Sequence, residues 1–251
     1  MRALVTGASS GIGRDMARYL AQLGWDLVVV ARRTDRLETL KKELNNVDVM
    51  CIGADLSDVE ECKRVYDMTA HLQIDMLINN AGFGLAGEFV DTDLDVELKM
   101  IDTNIVALHV LTKLYIKDFV KRDSGIILNV ASSAAFMSGP LLNTYYATKN
   151  YVLRLTEAIY QELKERKSKV RVCALCPGPI KTEFLDVADV KFVIKGLESE
   201  KVAKLAVDKA LRGKLIIIPG FMMKAGKFLL RFIPEKMMLW VSYRIQHKKR
   251  K

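Results

Sequence analysis

Tyr145 and Lys149 stand four residues apart at the head of a long helical pattern that runs to about Lys167. On a helix, residues at that spacing lie one above the other. A free phenol has a pKa of about 10 and gives up its proton poorly near neutral pH. An ammonium beside it favours the phenolate, so such a tyrosine can act as a general acid or base. Ser132 closes a preceding apolar run, Ile126-Ile127-Leu128, which is bounded by Gly125 and reads as a buried strand. From the mouth of that strand its hydroxyl can be aimed at the same point and polarise a carbonyl. Taken alone, the Tyr–Lys spacing is also that of two surface side chains on an ordinary helix.

The elements that must position these groups begin at the N-terminus. Ala3-Leu4-Val5 feeds the turn Thr6-Gly7-Ala8-Ser9-Ser10-Gly11-Ile12-Gly13, a helix follows from about Arg14 to Leu23, and Leu27 to Ala31 makes a second strand. Gly7 permits a tight turn, Gly11 lets a pyrophosphate approach the backbone, and Gly13 allows close packing of helix on strand. The second strand ends in Ala31-Arg32-Arg33, with no acid before Asp35. An acid there suits the 2′-hydroxyl of NAD and an arginine the 2′-phosphate of NADP, so Arg32 and Arg33 favour NADP(H). Arg36 reads as part of a solvated helix. A third strand, Val49 to Ile52, leads to Asp55-Leu56, where a carboxylate can meet an adenine. Ser57-Asp58-Val59-Glu60 has the form of a capping box. A fourth strand, Asp75 to Ile78, ends in the turn Asn79-Asn80-Ala81-Gly82, where backbone can lie against a ligand. The next helix, about Asp93 to Arg122, is expected to be irregular near Asn104, an amide in an otherwise apolar pattern.

Composition bounds the rest. The 251 residues, half of them apolar, suit one α/β domain with a sizeable core. No metal-binding spacing joins the four cysteines to the histidines. Cys173 and Cys176 form a CxxC, but on a strand residues three apart face opposite sides, which favours packing over redox chemistry. Reduced thiols and the absence of a signal-like start suit the cytoplasm.

The net charge of +9 is concentrated at one end: from Arg212 onward there are eleven basic residues and one acid, Glu235. Residues 1–220 therefore read as a nearly neutral body and 221–251 as a basic helical extension. On Phe221 to Ile233 the residues Lys224, Lys227 and Arg231 form a narrow polar stripe, and Lys236 to Ile245 is rich in Met, Trp and Tyr. Charges and Pro234 exclude a membrane span. An anionic membrane surface and a helical cover for a pocket or subunit interface both remain open. Nucleic acid is not expected as a partner, since no groove-reading motif is present.

Taken together, the motifs resemble the short-chain dehydrogenase/reductase family, in its single-domain branch, over about residues 2–220. They are Thr6-Gly7-x-x-x-Gly11-x-Gly13, Asn79-Asn80-Ala81-Gly82, Asn104, Ser132, Tyr145-x-x-x-Lys149 and Pro177-Gly178-x-x-x-Thr182, in that order. The resemblance implies a Rossmann-type, doubly wound α/β fold with a seven-stranded parallel sheet in the order 3-2-1-4-5-6-7 and helices on both faces. It also implies a catalytic tetrad of Asn104, Ser132, Tyr145 and Lys149. Ser132 is chosen over Ser133 because it lies thirteen residues before Tyr145, and Tyr145 over Tyr146 by the Tyr-x-x-x-Lys spacing. Ala131 stands where the family usually has the first of two serines.

The implied chemistry is hydride transfer between NADP(H) and a carbonyl or its alcohol. Ser132 polarises the oxygen, Tyr145 supplies the proton, Lys149 lowers the Tyr145 pKa and binds the nicotinamide ribose, and Asn104 holds a relay water. The cofactor is expected against Thr6, Gly7, Ser9, Ser10, Gly11, Ile12, Gly13, Arg32, Arg33, Asp55, Leu56, Asn80, Ala81, Gly82, Tyr145, Lys149, Pro177, Gly178, Ile180 and Thr182. Apolar side chains after strands four to six (Phe83, Leu85, Phe136, Met137, Leu141, Leu142, Leu185, Val187, Phe192 and Val193) suggest a hydrophobic ketone, aldehyde or oxoacyl substrate. A homodimer or homotetramer is the expected assembly. The competing reading is a non-catalytic NADP(H) sensor on the same fold.

Overall fold

The computed structural model describes residues 1–181, 183 and 196–250, without the side chains of 248–250. Seven strands form one all-parallel sheet in the order β3-β2-β1-β4-β5-β6-β7. They are β1 (Arg2–Thr6), β2 (Asp26–Ala31), β3 (Val49–Gly53), β4 (Met76–Asn79), β5 (Ile126–Val130), β6 (Arg171–Leu175) and β7 (Ile216–Ile217). Near-continuous apolar runs such as LVVVA and IILNV are what a sheet covered on both faces requires. Alternation along each strand divides the core in two. Ala3, Val5, Leu27 and Val29 pack on one face, while Leu4, Val28 and Val30 pack on the other.

The first face is covered by α1 (Gly11–Gln22), α2 (Thr34–Glu43) and α7 (Ser199–Leu211). Small residues on α1 and α7, among them Ala17, Ala21, Ala203 and Ala206, let these two helices approach closely. The second face is covered by α3 (Val59–Thr69), α5 (Leu108–Lys121) and α6 (Asn143–Glu165). Cys173 belongs to the first core layer and Cys176 to the second, and burial pushes both thiols up to about 12. The CxxC is therefore two packing residues on opposite faces of the sheet, Cys176 lying one residue past the end of β6.

Two local expectations need correction. Helix α3 is capped by Asp58, whose carboxylate accepts from the Glu60 amide at 2.8 Å. Ser57 caps nothing, because its amide and hydroxyl donate instead to Asp55. Helix α1 begins at Gly11, earlier than the sequence pattern suggests, so the second glycine of the turn is already its first residue. The expected irregularity near Asn104 is present. Helix α4 (Leu94–Ile101) runs through a π-helical segment, Asp102–Ala107, into α5. Such widened turns concentrate at functional sites.

After β7 the chain continues as α8 (Phe221–Leu229), a 3₁₀ turn (Leu230–Phe232) and α9 (Glu235–Arg250). No helix among the described residues is long and apolar enough to cross a membrane.

Candidate active site

The carboxyl ends of β1, β4, β5 and β6 meet at one cavity of about 770 Å³. In a doubly wound sheet this is the edge where ligands bind. Ser132 leaves β5 in extended conformation and caps the 3₁₀ turn Ser133–Phe136, its Oγ accepting from the Ala134 amide at 3.1 Å. The strand end is fixed from behind, with Ala131 N donating to Leu175 O (2.8 Å) and Ser133 N to Pro177 O (2.7 Å). Those two bonds also bring Pro177-Gly178 alongside Ser132.

Tyr145 and Lys149 project from the first turns of α6 into the same cavity. The Tyr145 and Ser132 hydroxyls share a hydrogen bond. Lys149 Nζ donates to Val130 O at 3.0 Å and lies 5.8 Å from the Tyr145 ring centroid. Burial dominates both titrations. It pushes the Tyr145 phenol up to about 12, with the Ser132 hydrogen bond pulling the other way, and brings the Lys149 ammonium down to about 8. In this state the protein therefore holds Tyr145 as a neutral acid. Desolvation is the largest influence on the phenol, and the Ser132 hydrogen bond only partly offsets it.

Asn104 sits in the π segment, 1 % exposed, and grips the loop after β4. Its Nδ2 donates to Phe83 O (2.9 Å) and to Thr148 Oγ1 (3.1 Å), while its Oδ1 accepts from Phe83 N (3.0 Å). A Cβ on Gly82 would fall 2.7 Å from Asn104 Oδ1 and 3.4 Å from Lys149 Nζ, so any larger residue there would have to push Asn104 aside. Asn104 thus ties α5, α6 and the β4 loop together behind the cavity.

The nucleotide end is built on the glycine turn. Gly7 and Gly11 have φ of 64° and 55°, a region favouring glycine. Asn80 Nδ2 braces the turn from below, donating to Thr6 O (3.0 Å) and Gly7 O (3.1 Å), while the Asn80 and Ala81 amides donate to Thr6 Oγ1. A side chain on Gly13 would run into the same amide. Thr6 and Gly13 therefore stand behind the lining and shape it. Gly7, Ser9, Ser10, Gly11, Ile12, Asn80, Ala81 and Gly82 line the cavity themselves.

The arginines divide their work differently from expectation. Arg32 is 71 % exposed and lies 4.0 Å from Asp55. Arg33 is bound into the turn, its Nη2 donating to Ser9 Oγ (3.2 Å) and Ser10 Oγ (3.0 Å). Its Nη1 donates to Glu183 (3.0 Å), which Arg36 also holds through bonds of 2.7 and 2.9 Å. These bonds from Arg36 and Arg33 keep the Glu183 carboxyl below its ordinary range. Arg36, read from sequence as merely solvated, and Glu183 are additions that no local pattern signalled. Asp55 lines the cavity too. Burial works against its charge, but the Ser57 amide and hydroxyl, with Arg32, outweigh it and hold its pKa down.

Two guanidinium groups converge on one carboxylate, one of them also bonded to the Ser9 and Ser10 hydroxyls, and such a donor set suits a phosphate. With the glycine turn beside it, the site fits a dinucleotide. Arg32, Leu56, Pro177, Gly178 and Ile180 complete the lining. Thr182, Leu185, Val187, Phe192 and Val193 lie outside the described residues. Of the other expected substrate contacts, Phe83, Phe136, Met137 and Leu142 line the cavity; Leu85 and Leu141 do not.

The C-terminal helices supply the wall that sequence reasoning had left unassigned. Met223, Gly226, Lys227 and Leu230, three and four residues apart, face the cavity, as do Ser242 and Gln246 of α9. Gln246 Nε2 donates to Tyr146 OH at 2.7 Å, Ser242 Oγ to Ser138 O at 3.4 Å, and Lys227 Nζ lies 4.7 Å over the Phe136 ring. Among the described residues no cluster of side chains could hold a metal ion.

The family model described as short chain dehydrogenase matches residues 1–190. Human "Dehydrogenase/reductase SDR family member 7" is 30% identical over 253 residues, covering 97% of this chain and 73% of the relative. Among solved structures, a short-chain dehydrogenase from Sphingobium yanoikuyae in complex with NADPH has a TM-score of 0.82 and 30% identity, covering 93% of this chain and 96% of that one. The bulky-bulky ketone specific alcohol dehydrogenase of Comamonas testosteroni has a TM-score of 0.78 and 27% identity, covering 93% and 95%.

Proposed function

The chain belongs to the short-chain dehydrogenase family and is an oxidoreductase of hydroxyl and carbonyl groups, and on that premise we propose that it reduces a hydrophobic ketone, aldehyde or oxoacyl compound with NADPH. The observation that carries the reading is the shared hydrogen bond between Tyr145 and Ser132 at the floor of the cavity, with Lys149 buried beside them.

A bound NADPH supplies the hydride. Ser132 donates to the substrate oxygen and polarises the carbonyl. As charge builds on that oxygen, the neutral Tyr145 hydroxyl delivers the proton that completes the alcohol. Lys149 places a cation near the phenolate left behind and stabilises it. Asn104 has both ends of its side chain engaged, so a relay water would have to use its main chain. Its side chain acts by positioning Gly82 and Phe83. For oxidation of the alcohol the same groups run in reverse.

The preference for NADPH rests on Arg33 and Arg36, with Arg32 at the rim. Glu183 sits where a 2′-phosphate would find its donors, so NADPH binding displaces an internal anion while NADH binding leaves it in place. The apolar lining, Phe83, Phe136, Met137, Leu142 and Leu230 among it, favours a hydrophobic substrate. The Sphingobium neighbour, complexed with NADPH, and the bulky ketone specificity of the Comamonas neighbour are in keeping with both choices. Following NADPH and NADH oxidation against a panel of ketones, aldehydes and 3-oxoacyl compounds tests the proposal. It predicts NADPH-preferring turnover of apolar carbonyls, and no turnover across the panel would overturn it.

A further inference from the structure

Helices α8 and α9 each have two faces. The inner faces close the cavity, as described above. The outer faces present to solvent what a folded chain ordinarily buries: Phe221 is 84% exposed, Phe232 71% and Trp240 55%, with Phe228, Val241 and Ile245 beside them. Spacing accounts for this. Phe221 and Phe228 are seven apart on α8, while Val241 and Ile245 are four apart on α9, so each set forms one stripe. Phe228 and Phe232 meet edge to face, their ring centroids 5.4 Å apart, and exposed apolar surface on this scale marks a site of interaction.

Charge selects the occupant. Lys224, Arg231, Lys236 and Arg244 are exposed around these stripes, and Glu235 is the one acid in the whole segment from 221 to 251. Arg244 lies 3.9 Å over the Trp240 ring, so cation and aromatic surface are presented together. Lys248, Lys249 and Arg250 follow at the end of α9. A second copy of this chain would bring two such basic faces together with almost no acid to offset them. An anionic lipid surface satisfies both features, since headgroups take the cations and acyl chains take the aromatic side chains.

We propose that the outer face of α8 and α9 docks on an anionic membrane surface, lying in its plane. Leu229 and Ile245 are 57% and 50% exposed and also line the cavity. Docking therefore sets the cavity wall against lipid, where an apolar carbonyl compound concentrates. That last consequence rests on the function proposed above, whereas docking itself does not.

The test is flotation of the full chain with phosphatidylcholine vesicles, with and without phosphatidylserine, at low and high salt. Each cation near the anionic surface contributes about fivefold in affinity at low salt, so binding should require phosphatidylserine and fall many-fold as salt screens it. The double substitution Phe232→Ser and Trp240→Ser should reduce binding at least about tenfold, from the lost apolar insertion. Thermal melts should show the variant folded, and because neither residue lines the cavity, turnover of a water-soluble carbonyl should be unchanged. Three outcomes overturn the proposal: no flotation with phosphatidylserine vesicles, flotation indifferent to the double substitution, or self-association in solution that the same substitution abolishes. Flotation of a chain inactive on every carbonyl would leave docking intact and remove only the proposed activity.

Discussion

Gln246 reaches back one hundred residues in sequence to donate a 2.7 Å hydrogen bond to Tyr146, the residue next to the proton donor. The bond joins the last helix to the first turn of α6, so the wall of the cavity and its chemical floor are held in one register. Gln246 is 5% exposed and the Tyr146 ring packs against Gly139. Replacing Gln246 by Leu removes a bond of about 1 kcal/mol net and leaves the tyrosine hydroxyl to find another partner. We expect KM for the carbonyl substrate to rise several-fold while NADPH affinity, set at the other end of the cavity, stays as it is. Parallel changes in both would show that α9 supports the whole fold rather than the substrate wall.

Cofactor choice is predicted to follow Arg33, Arg36 and Glu183 as well as Arg32. Arg33→Ser removes charge-assisted bonds worth about 1.5–3 kcal/mol each, so NADPH binding should weaken about tenfold or more with little change for NADH. Arg32→Asp should move the preference the same way. Glu183→Gln frees the two guanidinium groups and should tighten NADPH alone. Titration of cofactor fluorescence with each variant checks this, and a Glu183→Gln protein with NADPH affinity no better than wild type would remove the carboxylate from the account.

Lys149 predicts a pH dependence of stability. Its pKa of about 8 in the folded chain lies below the unfolded value of about 10.4. Between those values the unfolded state binds more protons, so stability rises as pH climbs through that window. Below about pH 8 the cost of burying the ammonium is fully present and amounts to a few kcal/mol. Lys149→Met should therefore be the more stable protein in urea melts at neutral pH, with an advantage that shrinks as pH rises towards about 10.4. A constant difference across that range would mean that the ammonium is not penalised.

Gly82→Ala is predicted to damage the site out of proportion to its size. The added methyl would meet Asn104 Oδ1 at 2.7 Å, forcing apart the bonds that fix Phe83. Overpacking of this sort costs about 1–3 kcal/mol. Turnover should fall with it, because Phe83 and Lys149 shift together. Crystals of the variant with Asn104 unmoved would contradict this.

The strands, the glycine turn and the Tyr145–Lys149 alignment were legible because each is a local pattern with a physical cause, whereas the strand order and the full tetrad were implied only by the family resemblance. Apolar runs make buried strands, glycines permit positive φ, and four-residue spacing aligns side chains. The π segment at Asn104 was also foreshadowed, by an amide that an apolar helix could not leave unbonded. What escaped was long-range. Arg36 looks solvated until Glu183, far along the chain, is folded beside it. Ser57 looks like a cap until Asp55 takes its hydroxyl. The basic tail reads equally as cover or contact surface, because which face turns inward depends on Tyr146, Ser138 and Phe136, all distant in sequence. The burial that raises the Tyr145 pKa was hidden for the same reason: spacing gives the neighbouring cation but not the depth of burial.

The most direct test of the central claim is turnover by Tyr145→Phe measured beside its NADPH affinity. General acid catalysis is worth about 10²–10⁴-fold, so carbonyl reduction should fall by at least the lower figure while cofactor titration gives the wild-type result, since only the proton donor is lost. Turnover near the wild-type rate, or a larger loss in Tyr146→Phe, would contradict the assignment of Tyr145 as the acid.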